Sequence, residues 1–188
     1  MSDIEKQDLP LSSDSVPQNP VLPRLHPSKD VLHAVQGSDL RADAILQSLA
    51  FYAVEEDWES LWKIADALNR EVSVLFDDQG LVWVDVGTPG MVRLSPPIGS
   101  RIPLRLWIHT HPWDAYWSMT DKRTLGIASG FLDRALVLGH DHLVQTVHIQ
   151  DGMANFPDAR LGAEGTLTNW TAESAMSYAT FRQERGVA

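Results

Sequence analysis

Hydrophobic positions recur along this chain with two different periods, and the period changes near residue 70. From about residue 39 to residue 69 they recur every three or four residues, which predicts helix. The acidic residues 55–57 interrupt this stretch and predict two helices rather than one. Their hydrophobic stripes consist of Ile45, Leu46, Leu49, Tyr52 and Ala53, and then Trp58, Leu61, Trp62, Ala65 and Leu68.

After residue 70 the alternation becomes that of strands, with side chains facing opposite sides in turn. Residues 70–76 and 81–86 flank a turn-forming sequence and predict a β-hairpin. Loops are predicted at 87–101, which has the length of loops that flank active sites, and at 151–165. Further strands are predicted at 104–108, 133–139 and 143–150, and helices at 122–131 and 168–185.

The first 38 residues differ in composition from the rest of the chain. They contain five of the eleven prolines, at positions 10, 17, 20, 23 and 27, with few large hydrophobic residues. This composition predicts a flexible, proline-rich tail at 1–38, in which residues 21–25 could alternatively serve as a docking peptide. The remaining residues, 39–188, suffice for one domain with a hydrophobic core.

Composition and charge narrow the class of protein further. The chain has no cysteine, so it has no disulfide or thiol chemistry and suits a reducing cytosol. It has no apolar run near the ~20 residues that span a bilayer and no secretory leader, so we expect a cytoplasmic protein with no membrane partner. The net charge of −10 disfavours nucleic acid and favours a basic partner, although an acidic proteome would produce the same bias.

Candidate chemistry is concentrated after the predicted strand 104–108, where His109 and His111 follow. Residues two apart on a strand face the same side, so the two imidazoles can share one cation. The loop that follows ends at Ser118 and Asp121, which returns a carboxylate. Two histidines and one aspartate leave a fourth zinc position open for water, as in catalytic zinc sites. The alternative is an incidental histidine pair beside a capping box that only begins a helix.

The string His109-Thr110-His111-Pro112, followed by Ser118 and Asp121, resembles the His-x-His-Pro, Ser, x-x-Asp signature of the JAMM (JAB1/MPN/Mov34) metalloproteases. The segment between His111 and Ser118 is one residue shorter than is usual in that family. The resemblance implies an α/β fold, the MPN or JAB domain, in which helices flank a mixed β-sheet. It also implies zinc bound by His109, His111 and Asp121, an oxyanion role for Ser118, and cleavage of conjugates of ubiquitin-like modifier proteins.

The same resemblance places a catalytic glutamate on an early strand, where Glu71 stands, although Glu71 could be an ordinary strand-end acid and Asp85 is a further candidate. The strands around the site also resemble RadC-like JAB proteins, which are associated with DNA repair or mobile elements. A RadC-like protein and a non-catalytic MPN scaffold therefore remain alternatives. His140 and His142 imitate the metal pair, but we expect them to be solvated turn residues.

Overall fold

A mixed β-sheet of six strands forms the centre of the protein in a computed structural model that describes residues 19–90, 94, 96–150 and 159–186. The strands are Val72–Phe76 (β1), Val82–Val86 (β2), Leu106–Thr110 (β3), Arg134–Leu138 (β4), His142–Val147 (β5) and Met176–Ser177 (β6). They lie in the order β2-β1-β3-β4-β5-β6. Only β3 and β4 pair in parallel, and the other neighbours are antiparallel. The predicted hairpin of β1 and β2 is confirmed.

Within the described ranges, five α-helices flank this sheet: Ser28–Gln36 (α1), Asp43–Val54 (α2), Trp58–Leu68 (α3), Met119–Ala128 (α4) and Tyr178–Glu184 (α5). The predicted division between α2 and α3 is confirmed. Asp57 caps α3 by accepting a hydrogen bond from the Ser60 N–H at 3.2 Å, and Asn69 ends the helix in the left-handed region at φ 52°. The α/β class, with a mixed sheet flanked by helices, is therefore confirmed. None of the helices within the described ranges has the length and apolar content to cross a membrane.

The sheet has a hydrophobic core on each face, because its strand side chains alternate. On the first face, residues such as Val72 and Val74 pack against a core to which α2, α3 and α5 contribute. On the second face, a smaller core is formed by Leu75, Trp83, Leu104, Trp107, Leu125, Ala128, Leu132, Ala135 and Trp170. The residues with candidate chemistry lie on this second face, beside the smaller core.

The N-terminal segment differs from the predicted flexible tail. Residues 1–18 lie outside the described part of the chain, but from Val21 onward the segment contacts the domain. The N–H of Val21 donates to the carbonyl oxygen of Val82 at 2.7 Å on the edge strand β2, and Val31 and Val35 of α1 pack on the first core. Pro27 lies just before α1, so the prolines end where helical periodicity begins, and the overall composition hid this helix.

The C-terminal region also differs from the predicted helix at 168–185. A 3₁₀ helix, Gly165–Asn169, precedes an extended segment, and α5 begins only at Tyr178. Thr171 explains the difference, because its hydroxyl accepts from the Val147 N–H at 2.9 Å and its carbonyl accepts from the Thr146 hydroxyl at 2.6 Å. These bonds hold the segment alongside β5 in a conformation that a helix cannot adopt.

Candidate metal centre

The two histidines of the predicted site stand at the end of β3, an interior strand of the sheet. His109 lies opposite Ser73 on β1 and beside Val137 on β4. His111 extends the pairing past the end of the strand, because its N–H donates to the carbonyl oxygen of Leu138 at 2.8 Å. Both side chains are buried, and their ring centroids are 5.1 Å apart. The prediction that they share one side of the strand is confirmed.

Asp121 reaches the histidines from the first turn of α4. Ser118 caps this helix, and its backbone N–H donates to Asp121 Oδ2 at 2.8 Å while the Asp121 N–H donates to Ser118 Oγ at 3.2 Å. The predicted capping box is thus present, and it aims the carboxylate at the histidines. Oδ1 lies 3.1 Å from His109 Nε2, and Oδ2 lies 3.5 Å from His111 Nε2.

The local electrostatics give two members of the site the protonation states that metal ligands need. Burial lowers the pKa of His109 below its ordinary value, against the opposing effect of Asp121. Burial alone would raise the pKa of Asp121, but His109, His111 and Ser118 together outweigh it and hold that pKa far below its usual range. A neutral imidazole and an ionised carboxylate bind metal without first losing a proton.

The donor set fits a metal ion. His109, His111 and Asp121 each offer one ligand atom, these atoms all lie within 4.8 Å of one another, and no other such group is found in the described ranges. The contact between His109 and Asp121 is short but not a well-directed hydrogen bond, since both His109 nitrogens have no hydrogen-bond partner among the described residues. A shared cation would bind one of these nitrogens and neutralise the buried carboxylate. The three residues can therefore hold a metal ion.

Glu71 lies just before β1 and is buried. Its N–H donates to the carbonyl oxygen of Thr88 at 2.9 Å, and its own carbonyl accepts from the Gly87 N–H at 2.8 Å, so the backbone remains paired with the segment after β2. Alternation puts Glu71 on the same face as Ser73, which is the face of His109. Asp85 pairs with Ser73 from the opposite side, so it shares this face but lies on β2, one strand farther from His109.

The Ser118 side chain is half-buried at the start of α4. Within the described residues its Oγ accepts the Asp121 N–H and donates to no other group, which leaves the hydroxyl proton available. Ser118 can therefore cap α4 and also donate a hydrogen bond to another group, because a hydroxyl can accept and donate at the same time.

Aromatic residues of the loop after His111 do not share one environment. Trp113 and Tyr116 are 74% and 57% exposed, and the Tyr116 ring contacts the edge of the His111 ring at a centroid distance of 4.9 Å. Trp117 instead packs inward against the second core, 6.0 Å from the His109 ring. Tyr116 therefore borders the site on its solvent side, and Trp113 is exposed on the same loop. In the loop predicted at 87–101, residues 91–93 and 95 lie outside the described part of the chain.

The turn between β4 and β5 holds this loop in place. The His140 N–H donates to the Trp113 carbonyl oxygen at 2.7 Å, and the Ala115 N–H donates to His142 Nε2 at 3.1 Å. Gly139 lies so close to the loop that a Cβ there would stand 2.7 Å from the Trp113 carbonyl oxygen. His142 is half-buried, so the prediction of solvated turn residues holds only for the exposed His140, and even its ring lies edge-on to Trp62.

Two contacts to the histidines, and one hydrogen bond that supports the first of them, are not among the sequence-based predictions. Trp107 stacks on His109, Ser73 accepts a hydrogen bond from Trp107 Nε1 at 3.0 Å, and Trp62 Nε1 donates to the His111 carbonyl oxygen at 2.8 Å. The spacing of two residues between Trp107 and His109 was a usable signal, because it puts both on one strand face. The other two contacts depend on strand register and on helix packing.

Comparison with known proteins gives no match, since no family model fits the chain and no curated protein or solved structure is significantly similar to it.

Proposed function

We propose that the chain is a zinc-dependent metalloprotease of the JAMM type, an isopeptidase that cleaves amide bonds after the C-terminal tail of a ubiquitin-like protein. The observation that carries this proposal is the buried group of His109, His111 and Asp121, whose ligand atoms lie within 4.8 Å of one another. Two further observations support the proposal. One is the resemblance of the motif, and the other is a mixed sheet in which β3, the strand that ends at the histidines, runs parallel to β4. On this proposal the sheet and its helices are an MPN domain.

Zinc suits the donor set because it accepts imidazole nitrogen and carboxylate oxygen, and no cysteine offers an alternative ligand. When bound in such a site, zinc supplies a water of lowered pKa and polarises a substrate carbonyl. His109, His111 and Asp121 would hold it. Three protein ligands are the number found in catalytic zinc sites, whereas structural sites use four.

Glu71 is the proposed general base and acid, which takes a proton from water and delivers it to the leaving amine. Adjacent strands lie about 4.8 Å apart, and Glu71 directly precedes β1, the neighbour of β3, whereas Asp85 lies on β2, about two strand spacings from His109. Glutamate also reaches one methylene farther than aspartate. Ser118 Oγ, with its proton unused by the helix cap, would donate to the oxyanion that forms on the substrate carbonyl.

The proposed substrate is an extended peptide tail with small residues at its end. Tyr116 borders the metal centre from the solvent side and, together with the exposed Trp113 of the same loop, would narrow the approach to it. A narrow approach admits a Gly-Gly end more readily than bulky side chains, and an extended tail can bind mainly through its backbone. The net charge of −10 favours a modifier with a basic face.

The test offers the zinc-loaded protein linear fusions and lysine conjugates of ubiquitin-like proteins beside a library of unstructured peptides. We expect cleavage directly after the modifier tail, with rates that fall as salt rises toward 1 M, where the Debye length is ~3 Å. His111→Ala is the matched control, because it removes one ligand and exposes any contaminating protease.

The outcomes separate the alternatives. Efficient cleavage of the library without preference for a folded modifier would reject the isopeptidase assignment and keep the metalloprotease. No cleavage of any substrate by protein that holds one zinc per chain would favour a non-catalytic MPN scaffold or a RadC-like protein instead.

A further inference from the structure

Among the residues that the structure describes, His109 has no partner for the hydrogen bond that usually orients a metal-binding histidine. In most sites the ring nitrogen away from the metal donates to a carboxylate, a carbonyl or water, and this bond fixes the ring plane. His109 is buried, and neither Nδ1 nor Nε2 has a hydrogen-bond partner among the described residues. The terminal torsion of histidine is broad and roughly two-fold, so an unrestrained ring would sample several orientations.

The His109 ring is instead stacked against a tryptophan, Trp107. The Trp107 and His109 rings are nearly parallel, with an interplanar angle of 15° and centroids 4.4 Å apart. The two residues are neighbours on one face of β3, so the strand itself brings the rings together. A parallel stack at this distance lets the rings slide past each other but opposes rotation of either ring away from the parallel orientation.

Trp107 is fixed in its turn by Ser73. Its Nε1–H donates to Ser73 Oγ at 3.0 Å, and both residues are buried. Ser73 is also the residue directly opposite His109 in the pairing of β1 with β3. Ser73 thus fixes the Trp107 indole by a hydrogen bond, and the indole in turn stacks on the His109 ring.

We infer that Trp107 and Ser73 are positioning residues for the metal centre: together they fix the imidazole plane of His109 in place of the absent hydrogen bond. The inference rests on the proposed metal site. It assigns Ser73 an effect that passes only through Trp107, since its hydroxyl bonds to the indole and not to the imidazole.

Trp107 also belongs to the second core, so its substitution could affect the site merely by disturbing the packing of that core. A control must separate this effect from the positioning of His109. Trp170 provides the matched control. It is equally buried in the same core, and its Nε1–H donates to the Leu125 carbonyl oxygen at 3.1 Å, but its ring lies against His148 and not against a metal ligand. Trp170→Phe therefore removes the same groups without touching the site.

The experiment compares Ser73→Ala, Trp107→Phe, the double variant and Trp170→Phe. Zinc affinity of the folded protein is measured by competition with a chromophoric chelator, and the cobalt-substituted forms give ligand-field spectra. We expect Ser73→Ala and Trp107→Phe each to weaken zinc binding by roughly tenfold and to shift the cobalt bands. The double variant should be no weaker than Trp107→Phe, because Ser73 acts through the indole. Trp170→Phe should match the wild type in both measurements.

Imidazole NMR signals of the metal-free protein provide a readout that does not need the metal. We expect the His109 ring protons to be shifted by the Trp107 ring current, and Ser73→Ala to broaden or move them. Unchanged zinc affinity, cobalt bands and His109 signals in both single variants would overturn the inference. A wild-type protein that binds no zinc but keeps a His109 ring whose signals respond to Ser73→Ala would reject the proposed function and retain the positioning role.

Discussion

Ser118 and Asp121 bond to each other reciprocally, backbone N–H to side chain in both directions, at 2.8 and 3.2 Å. This pair begins α4, and the same carboxylate faces His109 through Oδ1 and His111 through Oδ2. The start of the helix and the position of the third ligand are therefore one structural feature. A change at Ser118 consequently affects stability and chemistry by separable routes.

Ser118→Ala and Ser118→Gly distinguish these two routes. Alanine removes the acceptor for the Asp121 N–H and should cost about 1 kcal/mol of unfolding free energy, whereas glycine is tolerated at the N-cap and should cost only a few tenths of that. Neither residue has a side-chain donor, so both should lose turnover by about 10²-fold or more if Ser118 steadies the oxyanion. Denaturant unfolding and kcat measured on the same preparations check this. Turnover that recovers with stability in Ser118→Gly would reduce Ser118 to a structural role.

Metal content provides the most direct check of the site. Protein purified without chelator should hold one zinc per chain, and His109→Ala, His111→Ala and Asp121→Ala should each lose most of it, since three ligands leave none to spare. His140→Ala is the matched control, because His140 is an exposed member of the second His-x-His sequence, belongs to no ligand cluster in the described ranges, and bonds to the loop only through its backbone N–H. Added zinc should raise the melting temperature of the wild type, because it binds the folded state. Full zinc retention in all three ligand variants would refute the assignment.

The sequence predicts those parts of this site whose residues lie close together along the chain, and it misses those whose residues are far apart. The period of two on β3 was enough to pair His109 with His111, and the capping box needs only a spacing of three, so both were visible locally. Ser73 meets His109 only through the register of two strands separated by more than thirty residues, which no local pattern encodes. Helix α1 was hidden for another reason: the prolines that precede it dominated the composition of the whole segment.

Gly139 is predicted to tolerate no side chain, although its backbone is not in the left-handed region. A Cβ there would meet backbone atoms of the loop after His111, with Ala115 N at 2.5 Å, so Gly139→Ala must displace that loop. We expect a loss of about 1–3 kcal/mol in unfolding free energy, as for other overpacked sites, and weaker metal binding because the same loop leads to Asp121. Gly130→Ala is the control, since a Cβ at Gly130 has no neighbour within 4 Å. Equal stability and equal zinc affinity in the two variants would contradict the role assigned to this close approach.

The identity of the general base is tested by exchanging each candidate carboxylate for its amide. Glu71→Gln should keep fold and zinc but lose turnover by about 10²-fold or more, because an amide can hydrogen-bond water but cannot carry its proton. Asp85→Asn is the matched change on the same sheet face, one strand farther from His109, and should retain most of the turnover. Zinc content, melting temperature and kcat are measured together, so that a variant that unfolds or loses metal is not mistaken for one that lacks a base. The reverse result, with activity lost in Asp85→Asn and kept in Glu71→Gln, would move the role to Asp85. It would also mean that water is activated from β2 across the full width of β1, a distance that an aspartate side chain spans only with an intervening water.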